Sequence, residues 1–344
     1  MKKCIVFLLA VILCSCHKEA SVVRPAAQEQ ESFEQLISSI HELNNQYGFT
    51  ETKSPVGVIA SAADCAGGIL GNMYGAGVGA WVGGAAGPVG SVVGYLAGRR
   101  FGGYIGAAVF SGAVHLVDCF VKSPIIREDT PLILMEGPGL LLMDYVYPPR
   151  TAAQREDLMN AVNNATPGNL HNILLYCLQC QGLSKYVNLD GSVNAGAMYD
   201  DLVLIAEDLG LPVEEDINDY KPVVISYTSD VVAETKNANR NNTDSYTYSL
   251  KLYNHLVKHG LPSSDVAQLA SLHESISAAS FTSDAQASQY EQQCIQLIAD
   301  SDLSEDKKTG YAAFASIAVR STEYWYPAKT EKPIIRNDLE PIVR

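Results

Sequence analysis

The sequence is short of basic residues. Its 344 residues include 24 lysines and arginines against 38 acidic residues, which gives a formal net charge of −14. Binding to a phosphate backbone needs clustered basic side chains, so this balance excludes nucleic acid as a partner. It also disfavours electrostatic docking on anionic lipid. Any contact with a membrane must therefore be hydrophobic or covalent.

The usual enzyme motifs are also absent. His255 and His259 have the spacing of a zinc-peptidase H-E-x-x-H motif, but position 256 is Leu, and we interpret His259 as a cation near a helix end. The chain has no G-x-S-x-G and no P-loop. Cys177 and Cys180 form a C-x-x-C pair without a second metal-site pair, so we interpret them as packed on a helix. His171 lies near a helix start without a partnering nucleophile. We expect a non-enzymatic protein with no cofactor and no metal.

Residues 65–98 lack any charged side chain, and glycine returns there at every fourth position. A four-residue step advances about 400° on an α-helix, so glycines at this spacing line one groove. The pattern predicts a glycine zipper over residues 56–121, an α-helical hairpin that turns at Gly87-Pro88. The expected helix-packing residues form two series: Gly67, Gly71, Gly75, Gly79, Gly83 and Gly87, then Gly90, Gly94, Gly98, Gly102 and Gly106.

The hairpin favours a membrane interpretation. Small residues at this spacing let two helices approach closely in a bilayer. An arm over residues 59–86 would reach roughly 40 Å, more than the roughly 30 Å hydrocarbon core of a bilayer. Arg99 and Arg100 interrupt the second arm, and an arginine at the bilayer centre costs about 3 kcal/mol. The glycines could pack within one hairpin or between copies of the chain, and self-association stays open.

The first residues resemble the signal peptide of bacterial lipoproteins. Lys2 and Lys3 precede an apolar run, and a lipobox-like Leu13-Cys14-Ser15-Cys16 follows. The resemblance implies a lipoprotein signal peptide over residues 1–15 and a lipid on Cys16. Because residue 17 is His rather than Asp, it also implies an outer-membrane address in the bacterial cell envelope. Removal of the two lysines leaves 22 basic against 38 acidic residues, a net charge of −16.

The remaining sequence predicts a mainly α protein. We expect a tether and an amphipathic helix of about 15 residues over 16–55, a Pro-rich connector over 122–150, an irregular all-α domain over 151–326 and a tail over 327–344. Ser61 or Asp64 is expected to cap the first zipper helix. Further helix signals are Thr166 and Pro167 at a helix start and Gly182, Gly210 and Gly260 at helix ends. Helices are expected near 197–209, 223–235, 246–258, 264–278, 284–299 and 305–325, with a polar loop at 237–244.

The lipobox and the Gly-rich hairpin together resemble the glycine-zipper two-transmembrane module of bacterial envelope lipoproteins. The Gly-rich segment has a weaker resemblance to class II bacteriocins. These resemblances imply a membrane-anchored envelope lipoprotein whose hairpin inserts into or packs at a lipid membrane and mediates helix association. Two alternatives remain, a pore-forming or bacteriocin-like protein and a soluble scaffold or binding protein that buries the hairpin in its own fold. The sequence identifies no partner for the helical domain.

Overall fold

The computed structural model describes residues 26–49, 55–75, 102–122, 147–188, 190, 192–211, 217–241 and 243–325. Within these ranges the chain forms eleven α-helices, two short 3-10 helices at Leu183–Tyr186 and Leu256–His259, and no β-strand. This confirms the prediction of a mainly α fold. The α-helices are α1 (Ala26–Tyr47), α2 (Pro55–Gly75), α3 (Gly102–Lys122), α4 (Ala152–Asn163), α5 (Pro167–Cys180), α6 (Ala195–Asp208), α7 (Ile217–Asn241), α8 (Ser245–His255), α9 (Ser263–Ser277), α10 (Asp284–Asp300) and α11 (Glu305–Trp325).

One hydrophobic core joins the N-terminal helices to those of the C-terminal half, and α2 and α3 lie at its centre. The side chains described between residues 59 and 70 and between 106 and 117 are buried. A helix that is apolar on all sides belongs in an interior. α11 packs along α2, while α5, α6 and α7 pack against α3. The described parts of the glycine-rich region are therefore enclosed by the protein's own helices.

Only part of the predicted zipper can be compared with the structure. Gly67, Gly71 and Gly75 lie on α2, and Gly102 and Gly106 lie on α3. The other six glycines of the two series, the Gly87-Pro88 turn, Arg99, Arg100 and Cys16 lie outside the described residues. The hairpin connection therefore stays a prediction. Judged by length and hydropathy, none of the helices in the described ranges qualifies as a membrane-spanning segment.

Several helix boundaries agree with the sequence signals. Thr166 caps α5 by accepting a hydrogen bond from the backbone of Asn169, and Pro167 is the first helical residue. Three glycines end helices with φ in the left-handed region, which only glycine adopts without strain. These are Gly182 (φ 88°), Gly210 (φ 67°) and Gly260 (φ 111°). α11 has the bounds expected from the sequence.

Four local predictions were wrong. α2 begins at Pro55, so Ser61 and Asp64 lie inside the helix and are buried rather than capping it. α1 spans 22 residues and includes part of the predicted tether. α7 continues to Asn241 and covers much of the expected loop at 237–244. α4 was not predicted, because only Leu158 and Val162 of its residues are buried and it lacks a continuous apolar face; the capping box of Thr151 and Gln154 at its start was the signal that was missed.

Candidate functional site

α2 and α3 approach each other closely at two of their glycines. A Cβ atom added to Gly67 would lie 2.2 Å from the backbone nitrogen of Ala107 and 2.6 Å from the carbonyl carbon of Gly106. A Cβ atom added to Gly106 would lie 3.5 Å from the carbonyl oxygen of Gly67. The two backbones are therefore in direct contact. This contact brings together two of the predicted helix-packing residues.

A second glycine contact joins α5 to α11. A Cβ on Gly168 would lie 2.3 Å from the carbonyl oxygen of Ser316 and 2.6 Å from Cβ of Arg320. The backbone nitrogen of Gly168 also donates a 3.1 Å hydrogen bond to the Ser316 hydroxyl. The first turn of α5 thus lies directly on α11, although Gly168 belongs to neither glycine series.

A buried polar cluster forms around Asp64, the one charged residue of α2. Its side chain is 0 % exposed, and Oδ2 accepts hydrogen bonds from the Ser321 hydroxyl and, at 2.9 Å, from Trp325 Nε1. Oδ1 lies 3.2 Å from Nε2 of His171, outside the geometry of a directed hydrogen bond. His171 is also 0 % exposed. This Asp64 cluster connects α2 with both α5 and α11.

The neighbour of His171 fixes where its proton lies. Asn172 Nδ2 donates to the carbonyl oxygen of Arg320 at 3.0 Å, so Oδ1 of the same amide is the atom that faces His171 Nδ1, also at 3.0 Å. Nδ1 must then donate, because an amide oxygen can only accept. The contact with Asn172 thus holds the imidazole ring so that the other ring nitrogen, Nε2, faces Asp64 Oδ1.

His273 makes a different kind of contact with α2. Its Nδ1 lies 3.1 Å from the hydroxyl of Ser249 on α8, and its Nε2 lies 3.2 Å from the hydroxyl of Ser61. A hydroxyl can donate or accept, so either neutral tautomer of the imidazole fits. Through Ser61 and Asp64, one turn apart, α2 makes polar contacts with α5, α9 and α11.

Arg320 forms the second charged cluster of the core. Its guanidinium, 2 % exposed, bonds Glu291 at 2.6 Å and Glu323 at 2.9 Å, with Asp284 at 2.8 Å and the hydroxyl of Ser288 at 2.6 Å. Desolvation alone would lower the pKa of Arg320, but Glu291 and Glu323 outweigh it and raise the pKa. For Glu323 the balance is reversed, because burial raises its pKa more than the neighbouring guanidinium lowers it.

The two C-x-x-C cysteines lie on α5, as expected, and neither is in a disulfide. Burial raises the pKa of Cys180 to about 11 and raises that of Cys177 well above its usual value. Cys65 and Cys294 are also free, and burial raises the pKa of Cys294 to about 12. Since the thiolate is the reactive form, none of these thiols is suited to redox or nucleophilic chemistry.

We expect Cys65, Cys177 and Cys294 to resist alkylation in the folded protein, because each is buried and has a raised pKa. Peptide mapping after iodoacetamide treatment at pH 8, with and without urea, measures this. The three cysteines should be labelled only in urea. Labelling of Cys177 in the folded chain at the rate of a free thiol would contradict the burial of α5.

His255 and His259, which have metal-motif spacing in the sequence, are partly buried and have different surroundings. His255 contacts Glu234 at 3.2 Å and Asp230 at 3.7 Å with its two different ring nitrogens. Burial lowers the pKa of His259, which disfavours the cation that the sequence suggested. In the described part of the chain, no group of three or more histidine, cysteine or acidic side chains could hold a metal ion.

Substitution of Asp64 tests the buried cluster. In Asp64→Asn the amide oxygen can still accept from Ser321 and Trp325, so we expect a small loss of stability. Asp64→Leu removes the acceptor of the Ser321 hydroxyl and of Trp325 Nε1 and should cost about 2 kcal/mol. Urea denaturation measures the stability of both variants, and Asp200→Leu, at an exposed aspartate, is the control. If Asn were as destabilising as Leu, the hydrogen-bond assignment would be wrong.

The sequence carried a usable signal for these clusters. Asp64 is the one charged residue in α2, and Arg320 follows a run of mostly apolar residues in α11. An isolated charge on an apolar helix face indicates a buried ion pair, because an unpaired buried charge is very costly. The identity of the partners could not be predicted, since Asp64 and Trp325 are 261 residues apart in the chain.

Comparison of the chain with protein-family models, with curated protein sequences and with solved structures gave no match. The functional interpretation therefore depends on the residues and contacts described above.

Proposed function

We propose that the chain is a non-enzymatic lipoprotein of the bacterial cell envelope, anchored in the outer membrane by a lipid on Cys16, and that its glycines serve helix association. The observation that carries the role of the glycines is the backbone contact of Gly67 with Gly106 and Ala107. Such contacts are the physical use of small residues at four-residue spacing. In α2 and α3 the association is within the protein.

The burial of α2 and α3 favours packing over membrane insertion for these two helices. Their described side chains are covered by α5, α6, α7 and α11. Exposing them to lipid would break the contacts of Asp64 with His171 and Ser321. The third reading of the sequence, a hairpin buried in its own fold, is thereby favoured for residues 59–70 and 106–117, and it is compatible with a lipid anchor.

A non-enzymatic role agrees with the placement of the reactive groups. Asp64, His171 and His273 are each 0 % exposed, so no substrate could reach them in this conformation. Each is used to join helices. The polar interior therefore has a structural role in this proposal.

Fractionation tests the proposed anchor. Wild-type protein should sediment with membranes and incorporate radiolabelled palmitate, whereas Cys16→Ala should do neither. Cys180→Ala is the matched control, because it removes a partly buried cysteine of α5 and should leave both properties unchanged. Wild-type protein that stays soluble and unlabelled would refute the lipoprotein assignment.

Alkaline extraction of the Cys16→Ala protein separates packing from insertion. Release of the protein supports a glycine-rich region that packs within the fold. Retention in the membrane after extraction would mean that the region inserts by itself, and would contradict the packing role given to α2 and α3.

A further inference from the structure

α1 lies in a groove formed by three helices of the C-terminal half, α9, α10 and α11. Its main helix contacts are with α9 and α10, and the ring of Phe33 packs edge-on against Tyr311 of α11, with 5.9 Å between the ring centroids. In the described part of the chain, α2 and α3 have their main contacts with each other and with α5, α6, α7, α8 and α11. α1 therefore packs chiefly on the outside of the C-terminal helices.

The centre of the contact between α1 and the groove is apolar. Four side chains of α1, spaced three or four residues apart, are each at most 6 % exposed: Phe33, Leu36, Ile40 and Leu43. This spacing puts them in one row on the helix. An amphipathic helix that binds in a groove of another protein uses the same arrangement of apolar side chains.

Aromatic side chains hold the end of this segment. The ring of Phe49, two residues after α1, lies 5.6 Å from the ring of Phe281 and 5.6 Å from that of Tyr290 at the start of α10. The ring of Tyr47 lies 5.5 Å from that of Tyr290. With Phe33 near its other end, the segment has an aromatic contact at each end, and aromatic side chains are the commonest anchors of protein interfaces.

Polar contacts border the apolar row at both ends. Near the start of α1, Glu29 lies 3.4 Å from Lys307, and Gln268 donates a 3.0 Å hydrogen bond to the side-chain oxygen of Gln30. Near its end, the buried amide of Asn44 donates to the carbonyl oxygen of Ser275 at 2.8 Å and accepts from Tyr290 at 2.6 Å, and Tyr47 donates to Gln293 at 2.8 Å. An apolar centre with a polar border is the composition of an interface between separate proteins.

The covalent connection between α1 and the rest of the chain is short. Residues 50–54 join Phe49 to the start of α2 at Pro55, and they span at most about 20 Å. The groove residues that α1 contacts are distant in the chain, and 231 residues separate Asn44 from Ser275. None of the contacts listed above depends on whether the helix and the groove belong to the same copy of the chain.

From these contacts we propose that α9, α10 and α11 form a helix-binding groove that accepts α1 of a second copy of the chain in exchange for its own. Reciprocal exchange gives a two-fold symmetric dimer in which each groove holds the α1 of the other copy. A second copy is the partner whose fit to this groove is defined residue by residue. The short connection favours the chain's own α1 in dilute solution, so the exchanged dimer increases with protein concentration. This dimerisation does not depend on a lipid anchor.

Two native ion pairs of Lys307 allow the exchange to be measured without any substitution. Lys307 lies 3.4 Å from Glu29 of α1 and 3.4 Å from Asp265 of α9, and all three side chains are partly exposed. A water-soluble carbodiimide joins a lysine amine to a carboxylate in contact with it. Full-length chains, unlabelled and nitrogen-15-labelled, are mixed in equal amounts and incubated at high concentration, and a second mixture is refolded from urea. Both are cross-linked, separated into monomer and dimer, and digested for mass spectrometry.

We expect about half of the Glu29–Lys307 peptides from the dimer to combine a labelled with an unlabelled half, because exchange pairs chains at random. The Asp265–Lys307 peptides should combine halves of one kind only, since both residues belong to the groove, and they are the internal control. A dimer whose Glu29–Lys307 peptides are never mixed, or no dimer at high concentration, would overturn the exchange. Equal mixing in both peptides would also overturn it, because the chains would then associate without regard to α1.

Discussion

Gly67→Ala should destabilise the protein by about 3 kcal/mol, at the upper end of the range for overpacked cores. The added methyl group would lie 2.2 Å from the nitrogen and 2.3 Å from Cα of Ala107, both of which are backbone atoms. No rotamer change can relieve such a contact, so α2 and α3 must move apart. Intrinsic helix propensity alone favours Ala over Gly by about 1 kcal/mol and would stabilise the protein. The loss of stability that we predict therefore has the opposite sign to the effect of helix propensity.

Gly310→Ala is the matched control for this variant. Gly310 also lies inside an α-helix, α11, but no atom is within 4 Å of its Cβ position. There the same substitution should stabilise the protein by about 0.5 to 1 kcal/mol, because only propensity changes. Urea denaturation of both variants gives the comparison. Equal stability of Gly67→Ala and wild type would rule out the backbone contact.

Replacement of Arg320 by methionine should cost about 3 to 5 kcal/mol, since it leaves buried carboxylates without their cation. Methionine keeps most of the apolar volume of the arginine side chain, so the loss of stability measures the effect of removing the positive charge. Glu291 and Glu323 would remain buried, and the hydroxyl of Ser288 would lose its donor. In Arg155→Met, the control, the lost ion pair with Asp208 is exposed and should contribute less than about 1 kcal/mol.

The defect of Arg320→Met should depend on pH. Burial already raises the pKa of Glu323 in the folded protein, and loss of the guanidinium removes the main opposing influence. A group with a raised folded-state pKa stabilises the protein most below its unfolded pKa and loses that contribution as the pH rises through the folded value. The stability difference from wild type should therefore be largest at pH 7 and smaller near pH 5. A deficit that grew on acidification would contradict this account.

A second substitution separates charge from packing. Glu323→Gln in the Arg320→Met background removes one of the unpaired carboxylates and should restore part of the lost stability at pH 7. The restoration should become smaller on acidification, because protonation of Glu323 removes the same unpaired charge. If the double variant were no more stable than Arg320→Met at pH 7, lost packing would explain the defect.

Local sequence signals predicted the helices well, because helix starts and stops depend on nearby residues. Thr166 with Pro167 and the glycine at 260 are examples, since caps and left-handed glycines act within one turn. Gly67 and Gly106, which the four-residue glycine spacing predicted as packing residues, lie in contact with each other. The period of the glycines thus predicts which face of a helix packs against another helix.

The partners across the core could not be predicted. Asp64 was interpreted as a cap because a carboxylate near an expected helix start has that local explanation. Its real partners, His171 and Ser321, are brought to it by helices distant in sequence. The membrane interpretation of the uncharged run had the same weakness, because a helix that is apolar on all sides can be surrounded either by lipid or by other helices.

The polar contacts of α2 also solve a problem that the glycine repeat creates. If α2 slid along α3 by four residues, Gly71 would take the place of Gly67, so the backbone contact alone does not distinguish the two alignments. Ser61 and Asp64 have no counterparts four residues later, where positions 65 and 68 are Cys and Gly. A slipped alignment would bury Asp64 away from His171 and Trp325. The one carboxylate of α2 thus selects one alignment from those that the glycine spacing does not distinguish.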